Sequence, residues 1–370
     1  MKSVVKKGIL ILIIVSAFGT FAFGCKNSVS KSKGVLVEKW DNIYTGTNIK
    51  FYNEDFESDY LKSLSNEYEL SSKVDGLEKN MDKAEQILEW TNEMFEFNKG
   101  SISGKEDAKS IIDTLKDAKK ASDKDMSIVF TQALRSVGVQ ARVGEFKVKD
   151  GQFNKKDSSL YISEVWSKDL NKWVAIDVAN NACFYKDDIP LSAIELLKSD
   201  IDTIGIKKSK NLGKYKKEIS KYLYSYSIPI DNNFIGVKKS NSFINYLPEG
   251  NMPEIKGLKS YENPSLYVNS SELFEVSPYK EYSNAKSDDK ATFILMKKDP
   301  SADKDEELQF VVGAFKDSSM VKEYYASVDG MEYYKVNQYF DLKLKIGENK
   351  IILSEDGKTP VREIIINYKK

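Results

Sequence analysis

Along the first third of the mature chain, apolar residues recur at helical spacing. In "MDKAEQILEWTNEMF" the residues Met81, Ala84, Ile87, Leu88, Thr91, Met94 and Phe95 fall on one stripe, which predicts a helix. "KEDAKSIIDTLKDAKK" predicts a second. A third is predicted in "SDKDMSIVFTQALRSVGVQAR", residues 122–142. There Met126, Val129, Phe130, Ala133 and Val137 line one face, and Gly138 is suited to the position just beyond the C-cap. From Val139 the period changes to two. "VQARVGEFKV", "LYISEVWS" and "KWVAIDVA" read as three antiparallel strands joined by short polar connections. "PLSAIELLK" follows as a short helix with Pro190 in its first turn.

Residues 226–290 are rich in Asn, Ser, Pro and Tyr and carry little periodicity, so they are expected to form an extended connector, partly packed on its neighbours. From Ala291 the pattern is all β. "ATFILMKK", "ELQFVVGAF", "VKEYYASV", "MEYYKV", "YFDLKLKI", "NKIILS" and "VREIIINY" are short runs separated by turn residues such as Asp329-Gly330 and Asp356-Gly357. In "YFDLKLKI" Phe340, Leu342, Leu344 and Ile346 are expected on one face, with Asp341, Lys343 and Lys345 on the other. So many short strands in residues 291–370 suggest an immunoglobulin-like sandwich, an architecture that names no function.

The N-terminus carries a different signal. Lys2, Lys6 and Lys7 form a basic region, Gly8 to Phe18 an apolar run too short to span a bilayer comfortably, and "AFGC" ends it. The ending resembles a bacterial lipobox, with Ala22 where leucine is commonest. The resemblance implies a signal peptide at 1–24 and lipid on Cys25. An uncleaved membrane anchor is the plainer alternative. Both put the rest of the chain outside the cytoplasmic membrane. Residues 25–40, which contain the polar "KNSVSKSKG" at 26–34, are expected to form a flexible tether.

Composition then removes whole classes of chemistry. The formal net charge is zero, which gives no overall field toward nucleic acid. There is no histidine, so the commonest general base and metal ligand is missing. With Cys25 and Cys183 the only cysteines, no Cys/His zinc site can be built, and a disulfide framework is excluded if Cys25 is used otherwise. No cofactor and no metal are expected. The lysine-rich stretch 207–217 reads as a solvated face, with contact to a wall polyanion as the alternative. The acidic loop "DPSADKDEE" lacks the glycine and spacing of a calcium loop.

Three segments in order carry a resemblance: "DKDMSIVFTQALRSVGVQARVG", "YISEVWSKDLNKWVAIDVANN" and "PLSAIELL". Their Arg-x-x-Gly-x-x-x-Arg, Glu-Val-Trp and Lys-Trp-Val-x-Ile-Asp elements resemble the transglutaminase-like superfamily of papain-like fold. The likeness covers about residues 40–225 and is most specific over 121–198. It implies an α+β chain: a degenerate transglutaminase-like domain at 41–225, the connector at 226–290 and the sandwich at 291–370. In that family a cysteine opens the core helix, a histidine begins the next strand and an aspartate ends the third. Carried over, these positions are Asp123, Leu160 and Asp177.

Two of the three roles are therefore empty. Cys183 lies beyond the strand and reads as a small buried residue. Asp123 is a good first-turn residue, with Ser122 and Asp125 placed as a capping box that has Asp in place of Glu. A sharper alternative makes Asp123 and Asp177 a carboxylate pair across a groove, with Leu160 between them raising a carboxyl pKa. Asp125, Glu164, Trp166 and Trp173 are the expected groove contacts, the tryptophans either packing the core or walling a bound sugar or peptide. The expected function is that of a lipid-anchored extracytoplasmic pseudoenzyme with no catalytic residue, binding cell-wall peptide, glycan or an envelope protein. A carboxylate-dependent hydrolase and a non-binding spacer are the alternatives.

Overall fold

In the computed structural model, residues 34–153, 158–207, 211–233, 239–256, 261–279, 285–288, 290–298 and 308–369 are described. The leader, Cys25, residues 208–210 of the lysine-rich stretch and the whole acidic loop, 299–307, lie outside them.

The chain begins with strand β1 (Gly34–Asp41). Helices α1 (Asp59–Glu67), α2 (Asn80–Met94), α3 (Ala108–Leu115) and α4 (Asp123–Ser136) follow. Next come β2 (Ala141–Lys147), β3 (Ser159–Ser167), β4 (Lys172–Asp177) and β5 (Ala182–Lys186). Then come α5 (Ala193–Lys198), β6 (Gly205–Lys207), α6 (Leu212–Ile219) and β7 (Ser225–Pro229). Strands β8 (Phe243–Tyr246) and β9 (Ser265–Val268) complete a central sheet of order β6-β5-β4-β3-β2-β7-β8-β9. Its pairings are antiparallel except β8 with β9.

Helix α4 is the hub of the helical layer. It is buried along nearly all its length, not only on the apolar stripe, because its polar side chains find partners. Gln132 accepts hydrogen bonds from the Tyr60 hydroxyl (2.5 Å) and the Ala108 amide (2.7 Å). Thr131 and Ser163 share a hydrogen bond of 3.1 Å across to β3. The helix ends as the sequence reading expects. Gly138 adopts φ +77°, and the amides of Gly138 and Val139 return to the carbonyls of Arg135 and Leu134, each at 3.0 Å. These two bonds make a Schellman cap.

The period-two pattern of β3 separates two cores. Val165 packs with Met126, Val129 and Phe130 under the helices, whereas Leu160 and Ile162 pack on the opposite face with Phe146, Phe184 and Ile194. Helix α5 starts at Ala193, not at Pro190, because Ser192 and Glu195 form a reciprocal capping box, while Ile189–Pro190 pairs with β5 as a short strand.

Two further expectations are corrected. The stretch 226–290 is not a bare connector, since β7, β8 and β9 extend the central sheet. Residues 34–40 are not tether: β1 pairs antiparallel with the last strand, Gly34 opposite Lys369. The alternating Val35, Val37 and Trp40 are buried, which explains why this segment orders.

The C-terminal region consists of β10 (Thr292–Lys297), β11 (Leu308–Lys316), β12 (Glu323–Val328), β13 (Tyr334–Asn337), β14 (Tyr339–Leu344), β15 (Gly347–Ser354) and β16 (Pro360–Lys369). One sheet has the order β1-β16-β15-β12-β13, and in the other β11 lies between β10 and β14. Leu342 and Leu344 enter their shared core, but Ile346, past the end of β14, is 47% exposed. All seven expected strands are present, and the first strand of the described chain joins them.

Candidate functional site

The N-terminus of α4 is where the sequence placed its first site residue. Ser122 caps the helix by accepting from the Asp125 amide at 3.1 Å. Asp125 does not close the box on the Ser122 backbone. Its shorter side chain instead accepts from the Ser122 hydroxyl (2.7 Å) and from the amide and hydroxyl of Ser103 (3.0 and 2.6 Å). Asp125 is thus a buried structural carboxylate, not a groove contact.

Asp123 is 4% exposed, and its Oδ2 accepts from the Tyr161 amide on β3 at 2.9 Å. Burial raises its carboxyl pKa above the ordinary aspartate value. The Tyr161 amide and the Lys99 charge oppose that rise, and Asp177 adds to it. Leu160 contributes differently from expectation: it lies in the core on the far face of the sheet and does not stand between two carboxylates.

Asp177, at the end of β4, is fully buried. Its carboxylate accepts from the Asn180 amide (3.0 Å), the Asn180 side chain (2.9 Å) and the Tyr215 hydroxyl (2.7 Å). Tyr215 comes from the lysine-rich stretch read as a solvated face, and burial pushes its phenol well above the usual range. Nothing local in the sequence pairs it with Asp177, which lies 38 residues earlier. Asp123, Leu160 and Asp177 are each buried, and none of them is among the lining residues of the cavities described below. Cys183 is half-buried, and burial raises its thiol to about 11, so it is protonated at neutral pH.

The remaining expected contacts gather at the other end of β3 and β4. Arg142 and Glu164 stand opposite each other in register. The Arg142 Nε and Nη2 donate to Glu164 Oε2 at 2.9 and 2.7 Å. Glu164 also accepts from the Tyr226 hydroxyl and the Ala193 amide, each at 3.0 Å, so its charge is fully engaged. Trp173 stacks under the guanidinium at 4.1 Å and donates its indole N–H to the Val276 carbonyl at 3.0 Å. Trp166 meets Trp173 edge-on at 5.4 Å and is buried. Glu164 and Trp166 are therefore core residues. Trp173, with Arg142, also lines a cavity of about 390 Å³. Arg142 was part of a quoted motif but not of the expected site. Its position opposite Glu164 in two alternating strands was the signal available. Among the described residues, no group of three or more His, Cys, Asp or Glu side chains is arranged to hold a metal ion.

Residues 68–178 match the model of the transglutaminase-like superfamily. The match begins later than residue 41 and ends just past Asp177, and it contains Asp123, Leu160 and Asp177. Among solved structures, a protein of Cytophaga hutchinsonii named as a candidate cysteine protease is similar. The identity is 18% and the TM-score 0.27, over 35% of this chain and 40% of that one. This chain thus spans about two fifths of the length of that structure. No curated protein matches the chain.

Proposed function

We propose that the transglutaminase-like domain of this chain is a pseudoenzyme that acts by binding, on a lipid anchor at the outer face of the cell membrane. The observation that carries the reading is the state of Asp123. At the start of the hub helix, where the superfamily places its thiolate, stands a buried carboxylate tied to a backbone amide. The chain holds no histidine to serve as base, and Leu160, at the histidine position, faces the core. Asp177, the retained member, is saturated by Asn180 and Tyr215.

A carboxylate-pair hydrolase is less well supported. It needs substrate to reach Asp123 and Asp177, and both are buried away from the principal cavities. The ligand we favour is cell-wall peptide or glycan, because the lipobox-like leader implies a position between membrane and wall. Among the described residues no helix is long and apolar enough to cross a membrane.

Two experiments test this. Labelled fatty acid fed to cells should enter the protein and be lost in Cys25→Ala; labelling that persists excludes the anchor. Purified mature chain should co-sediment with cell-wall sacculi and release no product from them. Product release abolished by Asp123→Ala would overturn the pseudoenzyme reading, and failure to co-sediment would turn the search to an envelope protein.

A further inference from the structure

We infer that the cavity at Arg142 and Trp173 is a carboxylate-binding site, distinct from the triad positions at the opposite end of the same strands. This inference locates the binding function proposed above and rests on it for its biological meaning, but its chemistry can be tested alone.

The cavity, about 390 Å³, is within the range of small-molecule sites. Arg142 forms its floor and is 5% exposed. Its Nε and Nη2 are taken up by Glu164 and the Phe274 carbonyl, the latter at 2.7 Å. Nη1 makes no hydrogen bond among the described residues and retains two N–H donors. Unlike Arg135 Nε, this nitrogen is not one of the fully buried unpartnered atoms, so a ligand in the cavity can accept from it.

The wall beside it is also rich in donors. Asn53 accepts through Oδ1 from Arg135 Nη1 at 3.4 Å. Because arginine can only donate, this bond orients the amide with Oδ1 toward Arg135, and Nδ2 has no partner among the described residues. Lys50 stands at the same cavity and forms no ion pair among the described residues; its ammonium lies 5.8 Å from the centre of the Tyr52 ring. No Asp or Glu lines the cavity among the described residues.

Behind Asn53 lies a further positive charge. Arg135 is fully buried, and its hydrogen bonds go to three uncharged oxygens, on Asn53, Ala141 and Glu54. Glu54 offsets part of its charge. The cavity therefore offers free N–H groups from Arg142 and Asn53, a free ammonium and the field of a buried cation. A carboxylate supplies the negative charge that this lining lacks; the lining also holds one unpartnered acceptor, Asn232 Oδ1, which suits a ligand that carries a donor beside its carboxylate. The indole of Trp173 is already occupied by the guanidinium on a ring face, which disfavours recognition by sugar stacking alone.

The test is calorimetric titration of the mature chain with acetyl-D-alanyl-D-alanine, its C-terminal amide, glucuronate and glucose. At least one acid should bind at least tenfold more tightly than its neutral counterpart, and which acid does so distinguishes a peptide carboxylate from a sugar acid. Asn53→Asp keeps the acceptor for Arg135 but turns the free amide into a carboxylate oxygen. It should weaken the acid at least tenfold while the chain keeps a single cooperative melting transition, whose midpoint is free to shift because the new carboxylate faces Arg135. Lys50→Gln should weaken it several-fold and flatten its salt dependence. Equal affinity for acid and amide, or no binding by any probe, overturns the inference. If sacculi still co-sediment with the Asn53→Asp/Lys50→Gln variant while the acids do not bind, the cavity is wrong and the binding function stands. If the acids bind and sacculi do not, the cavity stands and the wall reading falls.

Discussion

At one end of β3 and β4, Leu160 sits in an apolar core and Asp177 is enclosed by Asn180 and Tyr215, with Asp123 tied to the Tyr161 amide nearby. At the other end, Glu164 and Trp173 are equally well buried, yet the Arg142 they hold lines a cavity and keeps one nitrogen free. Both ends are polar features on the same strands. They differ in whether every hydrogen-bonding group is consumed internally. A site that has closed around its own polar atoms has nothing left for a ligand. A site that holds a cation firmly from one side presents its remaining donors on the other. Burial is thus a poor guide to idleness in this fold, and the accounting of donors separates the two ends.

The comparison can be broken most severely at Glu164. Glu164→Ala leaves Arg142 buried without an anion and unpairs the Tyr226 hydroxyl and the Ala193 amide. We expect a loss of about 3–5 kcal/mol in urea denaturation. A loss below about 1 kcal/mol would mean that the pair does not hold the cavity end together.

Leu160→His, which installs the residue type the superfamily uses, tests the closed end. The imidazole would enter the apolar core with Phe146 and Phe184, at a cost of about 2–4 kcal/mol. Burial would lower its folded pKa below the free value of about 6.5, so stability would fall further as pH drops through about 6.5. Stability that instead recovers on acidification would show that Asp177 captures the imidazolium, and would revive the catalytic reading of that end. Unfolding midpoints at pH 5 and 8 decide between the two.

The smallest effect is expected at Asp123. Its folded pKa is raised, so its contribution to stability is complete below about pH 4 and is lost as pH rises through the folded value. Asp123→Asn keeps an acceptor for the Tyr161 amide and removes the buried charge. At pH 7 it should be as stable as the parent or up to about 1 kcal/mol more stable, with the gap closing toward pH 4. Destabilisation by more than about 1 kcal/mol at pH 7 would show that the carboxylate does more than start a helix.

The sequence by itself determined a good deal. Period 3.6 placed α2, α3 and α4, period two placed β2 to β4 and the seven C-terminal strands, and Gly138 marked the helix end, because these signals arise within a few residues of backbone. The absence of histidine bounded the chemistry without any structure. Ser122 and Asp125 were legible as a helix start, though not the detail that a chain one carbon shorter than glutamate turns to the hydroxyls. The tertiary structure alone decided that β1 pairs with β16 at the other end of the chain, that residues 225–268 add three strands to the central sheet, and that Tyr215 closes on Asp177. It alone left Arg142 with a free nitrogen beside Asn53. Each of these joins residues remote in sequence, and their pairing follows from how whole faces of sheet and helix bury against one another, which no local pattern encodes.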